Sequence, residues 1–160
     1  MATLIKGQEL QLMVAGKPIA FCTNHVFTLN SDTTDTSSKD NGDFGSTQIN
    51  KISWTISSDS LYCSYAAGVN NYDVLVDVML AKQPIDVVFC RPANYTSAGL
   101  VRGGNTANDA PEEWTQNTTY LTGKAVLTSL TLNAQNGETA NYSAEFTGNG
   151  ALNKVGSYLV

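Results

Sequence analysis

Charge is the scarcest resource in this sequence. Only 14% of its 160 residues are Asp, Glu, Lys or Arg, with 9 basic against 14 acidic, and no cluster of Lys and Arg occurs anywhere. A protein that grips nucleic acid needs such a cluster to neutralise phosphates, so that class is excluded. Histidine is nearly absent as well. His25 stands alone, which rules out a multi-histidine zinc site, and Cys22-Thr23-Asn24-His25 would need two further ligands to hold zinc. The simple reading of His25 is a strand histidine beside a thiol. The three cysteines, Cys22, Cys63 and Cys90, are odd in number and widely spaced, which suits buried free thiols rather than a disulfide framework.

Long apolar runs are missing too. The best candidate, residues 74–81, is interrupted by Asp77 and falls far short of the roughly 20 residues of a membrane helix. The opening MATLIKGQELQLMV has no basic start followed by an apolar core, so the chain is expected to be made and kept in the cytoplasm. Acid and base chemistry has little to work with. The carboxylate pairs Asp32/Asp35, Asp40/Asp43 and Glu112/Glu113 lie in polar stretches where solvated carboxylates are the rule. Gly103-Gly104 and Gly148-Asn149-Gly150 are too short to cradle a phosphate and read as turn glycines, and the three matches to the glycosylation sequon read as chance. No enzyme, cofactor or metal is indicated.

What is abundant is uncharged polarity and strand alternation. Residues 123–152, GKAVLTSLTLNAQNGETANYSAEFTGNGAL, form the most ordered stretch. Its first arm places Val126, Thr128, Leu130 and Leu132 on one face with Leu127 as the exception; its second places Ala140, Tyr142, Ala144 and Phe146 on one face without exception. Opposed residues in an antiparallel ladder share a face, so a two-residue Asn136-Gly137 turn would set Leu132 against Asn141 and bury polar groups. A three-residue loop, 135–137, instead pairs Leu132 with Ala140, Leu130 with Tyr142 and Val126 with Phe146. On this register Leu130, Leu132, Tyr142 and Phe146 are expected to pack on the sheet that carries Trp54.

Elsewhere, Leu10, Leu12 and Val14 alternate with Glu9, Gln11 and Met13, residues 15–18 supply turn chemistry, and a strand pattern resumes over 19–29. Residues 30–48, NSDTTDTSSKDNGDFGSTQ, have almost no apolar content and read as a long polar loop over 31–48. Ile52, Trp54 and Ile56 alternate with hydroxyl residues, giving a strand with Trp54 on the core face. Residues 70–84 carry both strand and helix periodicities. Asn71 as a cap, Asp73 in the first turn and Lys82-Gln83-Pro84 as a stop favour the helix. Ile85, Val87 and Phe89 form a short strand, and residues 91–118 read as irregular. The expectation is one domain over 1–160, mainly antiparallel β as a sandwich or barrel with one flanking helix.

The final hairpin, of the form G-x-A-x-L-T-S-L-x-L-x-A-x-N-G-E-x-A-x-Y-S-x-x-F-x-G-x-G-x-L, resembles the major tail tube proteins of long-tailed phages. Asp35-Thr36-Ser37-Ser38-Lys39-Asp40 resembles the D-x-S-S-K-D segment that follows their second strand, and residues 52–58 add a further match. The resemblance implies a β-sandwich with one helix that assembles with itself into hexameric rings, whose sheets join into an inner barrel. Stacked rings would conduct phage DNA without binding it specifically, in a virion tail alongside other tail proteins and away from any membrane. It also implies that the long loop reaches a neighbouring subunit, which makes Asp35, Ser37, Ser38 and Lys39 candidate contact residues. Asp40, Asp43 and Phe44 complete that set. Two alternatives stay open: a tube protein of a related contractile injection system, and a secreted or cell-surface sandwich that binds carbohydrate or protein through loop aromatics such as Tyr62, Tyr65, Tyr72, Tyr95, Trp114 and Tyr120.

Overall fold

The computed structural model describes residues 4–64, 69–93, 95–96, 99–100 and 116–156. Most of 91–118, which the sequence suggests is irregular, therefore lies outside the described residues. Within them the chain is mainly β with one helix, as expected. Strands β1 (Gln11–Val14) and β2 (Lys17–Pro18) form a tight hairpin across Ala15 and Gly16, both at positive φ. That pair of angles is what a two-residue hairpin turn needs if its twist is to match the strands. Long strands follow in β3 (Cys22–Asp35) and β4 (Thr47–Leu61). Helix α1 (Tyr72–Ala81) comes next, then β5 (Ile85–Cys90), the short pair β6 (Tyr95–Thr96) and β7 (Gly99–Leu100), and finally β8 (Tyr120–Asn133), β9 (Asn141–Gly148) and β10 (Asn153–Val155).

The helix ends where its sequence signals place them. Asn71 Oδ1 accepts the Val74 amide at 3.1 Å, and Lys82 closes the helix in the left-handed region, its N–H donating to the Met79 carbonyl. Its buried residue, Leu75, enters the core.

Eight strands make one antiparallel sheet in the order β2-β1-β5-β8-β9-β4-β3, with β10 added on β8. Strands far apart in that order nevertheless touch. Phe27 of β3 meets Phe89 of β5 at 6.0 Å between ring centroids, and His25 Nε2 lies 3.4 Å from Gln11 Oε1 of β1. The sheet therefore curls over itself and closes around Leu12, Val14, Trp54, Ile56, Leu127 and Phe146. A smaller cluster of Met13, Val88 and Cys90 covers the other side of β1 and β5. This is why Met13 is as buried as Leu12 and Val14 and why alternation is lost there.

Trp54 sits at the seam. Its indole stacks on Phe27 at 6.2 Å, donates from Nε1 to the Gly150 carbonyl at 3.2 Å, and lies against the backbone of Gly123 and Gly148. A Cβ on Gly123 would come 2.6 Å from the ring and one on Gly148 would come 2.2 Å from it, so these strand glycines form a slot for the indole.

Three expectations need correction. The β8–β9 hairpin pairs Leu132 with Tyr142 and Leu130 with Ala144, not Leu132 with Ala140, and the connection covers 134–140 rather than 135–137. Parity survives that shift because it moves the register by two. A bulge between Leu127 and Ser129 then exchanges the faces, so Leu127 pairs with Phe146 and is buried while Val126 turns outward. Second, Leu132 is 39% exposed, since it sits at the far end of the hairpin, beyond the core that holds Tyr142 and Phe146; Leu130 is half-buried against that core. Third, 31–48 is not a loop over its whole length. β3 and β4 stay paired out to Asp35 and Thr47, leaving only 36–46 as a connection. Thr33 and Thr34 are good strand formers, and a two-stranded extension with both faces in water needs no apolar alternation.

Phe146→Ala is expected to cost roughly 3 to 5 kcal/mol and Leu132→Ala less than about 1 kcal/mol in denaturant titrations. Gly148→Ala, which adds a single methyl, is expected to destabilise by about 1 to 3 kcal/mol through its clash with Trp54, and a smaller loss would mean that the indole slot is loose.

Candidate self-assembly surface

The sheet has open edges where its strands outrun their partners. β3 is hydrogen-bonded to β4 along one side, and its other side has no partner strand among the described residues. On β8, β5 pairs only with Leu121–Ala125, so among the described residues the same side of 126–133 also has no partner strand, while β9 covers the opposite side. The section β8-β9-β4-β3 thus ends in two unpaired antiparallel edges that face away from each other. An exposed edge offers a row of N–H and C=O groups to any strand of matching direction.

β3 and β4 also overrun their neighbours lengthwise. β9 pairs with β4 only from Thr55 to Leu61, so beyond Trp54 the two strands hold only each other. About six residues per strand extend past the sheet, an arm of roughly 20 Å at strand rise. Leu29, Ile49 and Ile52 on this arm are 56%, 59% and 64% exposed. The Asn50 side chain donates to Thr34 Oγ1 across it, near the register shift between Asp32 and Thr33.

The connection at its end is built from its own hydrogen bonds. Asp35 Oδ1 accepts the Ser37 amide at 2.8 Å, Ser37 Oγ accepts the Ser46 amide at 2.7 Å, and the Thr36 amide donates to the Ser46 carbonyl. Ser38 caps a 3-10 turn over Lys39–Asn41, and Asn41 Oδ1 in return accepts from the Ser38 amide and hydroxyl. Bonds from Ser37 hold the Asp35 carboxyl below its ordinary pKa. The tip so formed presents Phe44, 83% exposed, beside the exposed Lys39, Asp40 and Asp43. The seven residues singled out from the sequence are therefore brought together at the end of one arm. Reasoning from sequence missed the arm's apolar flanks and the open half of β8; Ile49, and the continuation of the Trp54 strand pattern back to Ile52, were the signal.

Other candidates lack chemistry. Cys22 Sγ lies 3.4 Å from His25 Nδ1 and 3.5 Å from Ser58 Oγ, but burial pushes the thiol pKa up and the imidazole pKa down to about 4. Both groups stay neutral near pH 7, so no thiolate–imidazolium nucleophile forms. Among the described residues no group of three or more His, Cys, Asp or Glu could hold a metal, and no helix is long and apolar enough to cross a membrane. Tyr62 leans on Tyr72, which packs on Tyr142, and Tyr62 Oη donates to Asp73. Tyr120 packs beside Met13, Val88 and Cys90. These rings do not make an open stacking platform. Tyr65, Trp114, the Tyr95 side chain and the Glu112/Glu113 pair lie outside the described residues.

Among the described residues the chain is thus a curled antiparallel sheet with one helix, unpaired edges on β3 and β8 and a projecting two-stranded arm, and comparison with known proteins bears on that fold. No family model and no curated protein matches the sequence. Solved structures do. The tail of an empty GTA particle refined with helical C6 symmetry superposes with a TM-score of 0.66 at 14% identity, covering 96% of this chain and 100% of that chain. The SPP1 tail tube gives 0.64 at 10% identity, covering 96% and 80%. A sheath/tube terminator of the PVC extracellular contractile injection system gives 0.60 at 10% identity, covering 97% and 99%. The chain has the fold of a tail tube protein.

The half-buried His25 gives a pH signature. Its pKa of about 4 in the fold lies below the ordinary 6.5, so its contribution is fully present above pH 6.5 and is lost as pH falls toward 4, where the unfolded chain gains a proton that the fold refuses. The loss should be on the order of 2 kcal/mol after allowance for partial exposure. Denaturant titrations from neutral to acid pH should show a smaller slope for His25→Asn than for the native chain.

Proposed function

We propose that this chain is the major tail tube subunit of a phage or prophage, a structural protein without catalytic activity. The observation that carries this reading is the pair of unpaired edges at opposite ends of β8-β9-β4-β3. A contact between unlike edges is heterologous, and repeated through a closing rotation it makes a ring. Six copies joined this way, β3 of one beside 126–133 of the next, would run their sheets together into an inner barrel and leave neither of these two edges open. The C6 symmetry of the GTA tail, which shares the fold, supports six as the number.

Rings stack when something reaches between them, and the arm fits that task. Phe44 offers an apolar anchor, Lys39, Asp40 and Asp43 offer charges to pair, and Leu29, Ile49 and Ile52 offer exposed apolar surface that a neighbour would cover. Exposed ion pairs add only about 0 to 1 kcal/mol each, so backbone pairing and apolar burial would supply most of the contact. The sheet face opposite the core, with Thr28, Thr55, Ser57, Thr128 and Thr147 around Glu145, would line the lumen. Together with a net charge of −5, such a face would let DNA pass without holding it. The subunit would be made in the host cytoplasm and reside in the virion tail beside other tail proteins. A tube protein of a contractile injection system is the second reading, favoured by the likeness to the injection-system terminator.

Deleting residues 35–45 is expected to leave a folded protein of nearly unchanged thermal stability that no longer forms tubes in electron micrographs. Normal tubes from the deletion variant would remove the arm from the assembly.

A further inference from the structure

The chain contains three Asn-Gly pairs, 41–42, 136–137 and 149–150, and all three asparagines are exposed. Asn-Gly is the dipeptide most open to spontaneous deamidation, because glycine has no side chain to hinder its own amide nitrogen. That nitrogen attacks Cγ of the asparagine, a new C–N bond closes a succinimide, and the side-chain amide leaves as ammonia. Water then opens the ring. Attack at Cγ gives Asp, and attack at the main-chain carbonyl gives isoaspartate, with the chain rerouted through the side chain. Only water is consumed. Ring closure requires the carboxamide to swing onto the next nitrogen, so a side chain or backbone clamped elsewhere is protected.

The fold clamps two of the three. Asn41 Oδ1 accepts from the Ser38 amide at 3.1 Å and the Ser38 hydroxyl at 2.9 Å, which turns its carboxamide back toward the start of the 3-10 turn. Asn149 is held through its backbone: its amide donates to the Lys124 carbonyl at 2.7 Å, and the next carbonyl, that of Gly150, accepts Trp54 Nε1. Asn136 has neither a bonded side chain nor a bond at its own amide among the described residues. It lies in the middle of the 134–140 connection, where the Glu138 amide donates to the Gln135 carbonyl, and its own side chain has no hydrogen bond among the described residues. Gly137 beside it is at φ +86 with nothing within 4 Å of where a Cβ would stand.

We propose that Asn136 is a self-modifying site that converts to Asp or isoaspartate ahead of the other two Asn-Gly pairs, adding one negative charge per subunit at the end of the β8–β9 hairpin. The proposal does not depend on tube formation. Its test is a time course of the purified full chain in mildly alkaline buffer, with peptides followed by the mass gain of amide-to-acid conversion and isoaspartate scored separately. In the folded protein Asn136 is expected to convert severalfold faster than Asn41 or Asn149, and in denaturant the three rates should converge. Ser38→Ala should raise the rate at Asn41 severalfold and leave Asn136 unchanged. Equal rates in the folded protein, or faster conversion at Asn41 or Asn149, would overturn the proposal.

Discussion

The packing of the Trp54 indole against two glycine backbones is the constraint on which the rest of the sheet depends. β8 changes partners at this point: Ala125 pairs with Ile85 on one side and with Gly148 on the other, and a few residues earlier β10 has replaced β9. A side chain at either glycine would lift the indole off the strands. With the indole in place, Phe27 stacks on it and carries β3 over toward Phe89, which is how the far ends of the strand order come to touch. The curl follows from one large ring and two absent Cβ atoms.

That curl also separates the molecule into two regimes. Near Trp54, β8, β9 and β4 are flanked on both sides, and the side chains of Leu12, Ile56 and Phe146 leave almost no surface to water. Away from it, β3, β4 and the outer half of β8 continue with partners on one side only. Burial there falls along each strand although the residue types hardly change: Ile56 is 1% exposed and Ile52, four residues earlier on the same face, is 64% exposed. The length of the strands, rather than their composition, creates this exposed apolar surface.

Local signals in the sequence were read correctly where a single element decides them. Asn71, Asp73 and Pro84 bracket the helix because capping and termination are chemistry within one turn, and Tyr142, Ala144 and Phe146 share a face because period-two alternation is a property of one strand. The register of the last hairpin was not legible. A bulge at Thr128 lets Leu127 take the buried side that the pattern assigns to Val126, and nothing in LTSL announces it. Likewise Gly148 looks like a turn residue, and Gly123 carries no local sign of its role, until Trp54, distant in sequence, is placed against them. The arm was hidden for the opposite reason: Asn, Ser, Asp and Thr look like a loop because strands are usually recognised by the apolar face they bury, and this pair buries none. Its tip residues were legible as a set but not as a structure, since the hydrogen bonds that order Thr36 and Ser37 depend on the strands that bring Ser46 alongside.

β3 runs fourteen residues without a proline or a lysine, and its outer ladder has no partner strand among the described residues. Soluble proteins usually blunt such edges, because an open ladder recruits any extended chain it meets, including nascent or misfolded copies of itself. A subunit with this edge is safest when scarce or already capped. For a chain that assembles through this edge, solubility would be a matter of timing: the free pool would have to stay dilute until a template offered the matching edge, and growth from that template would compete with disordered association at a rate set by concentration.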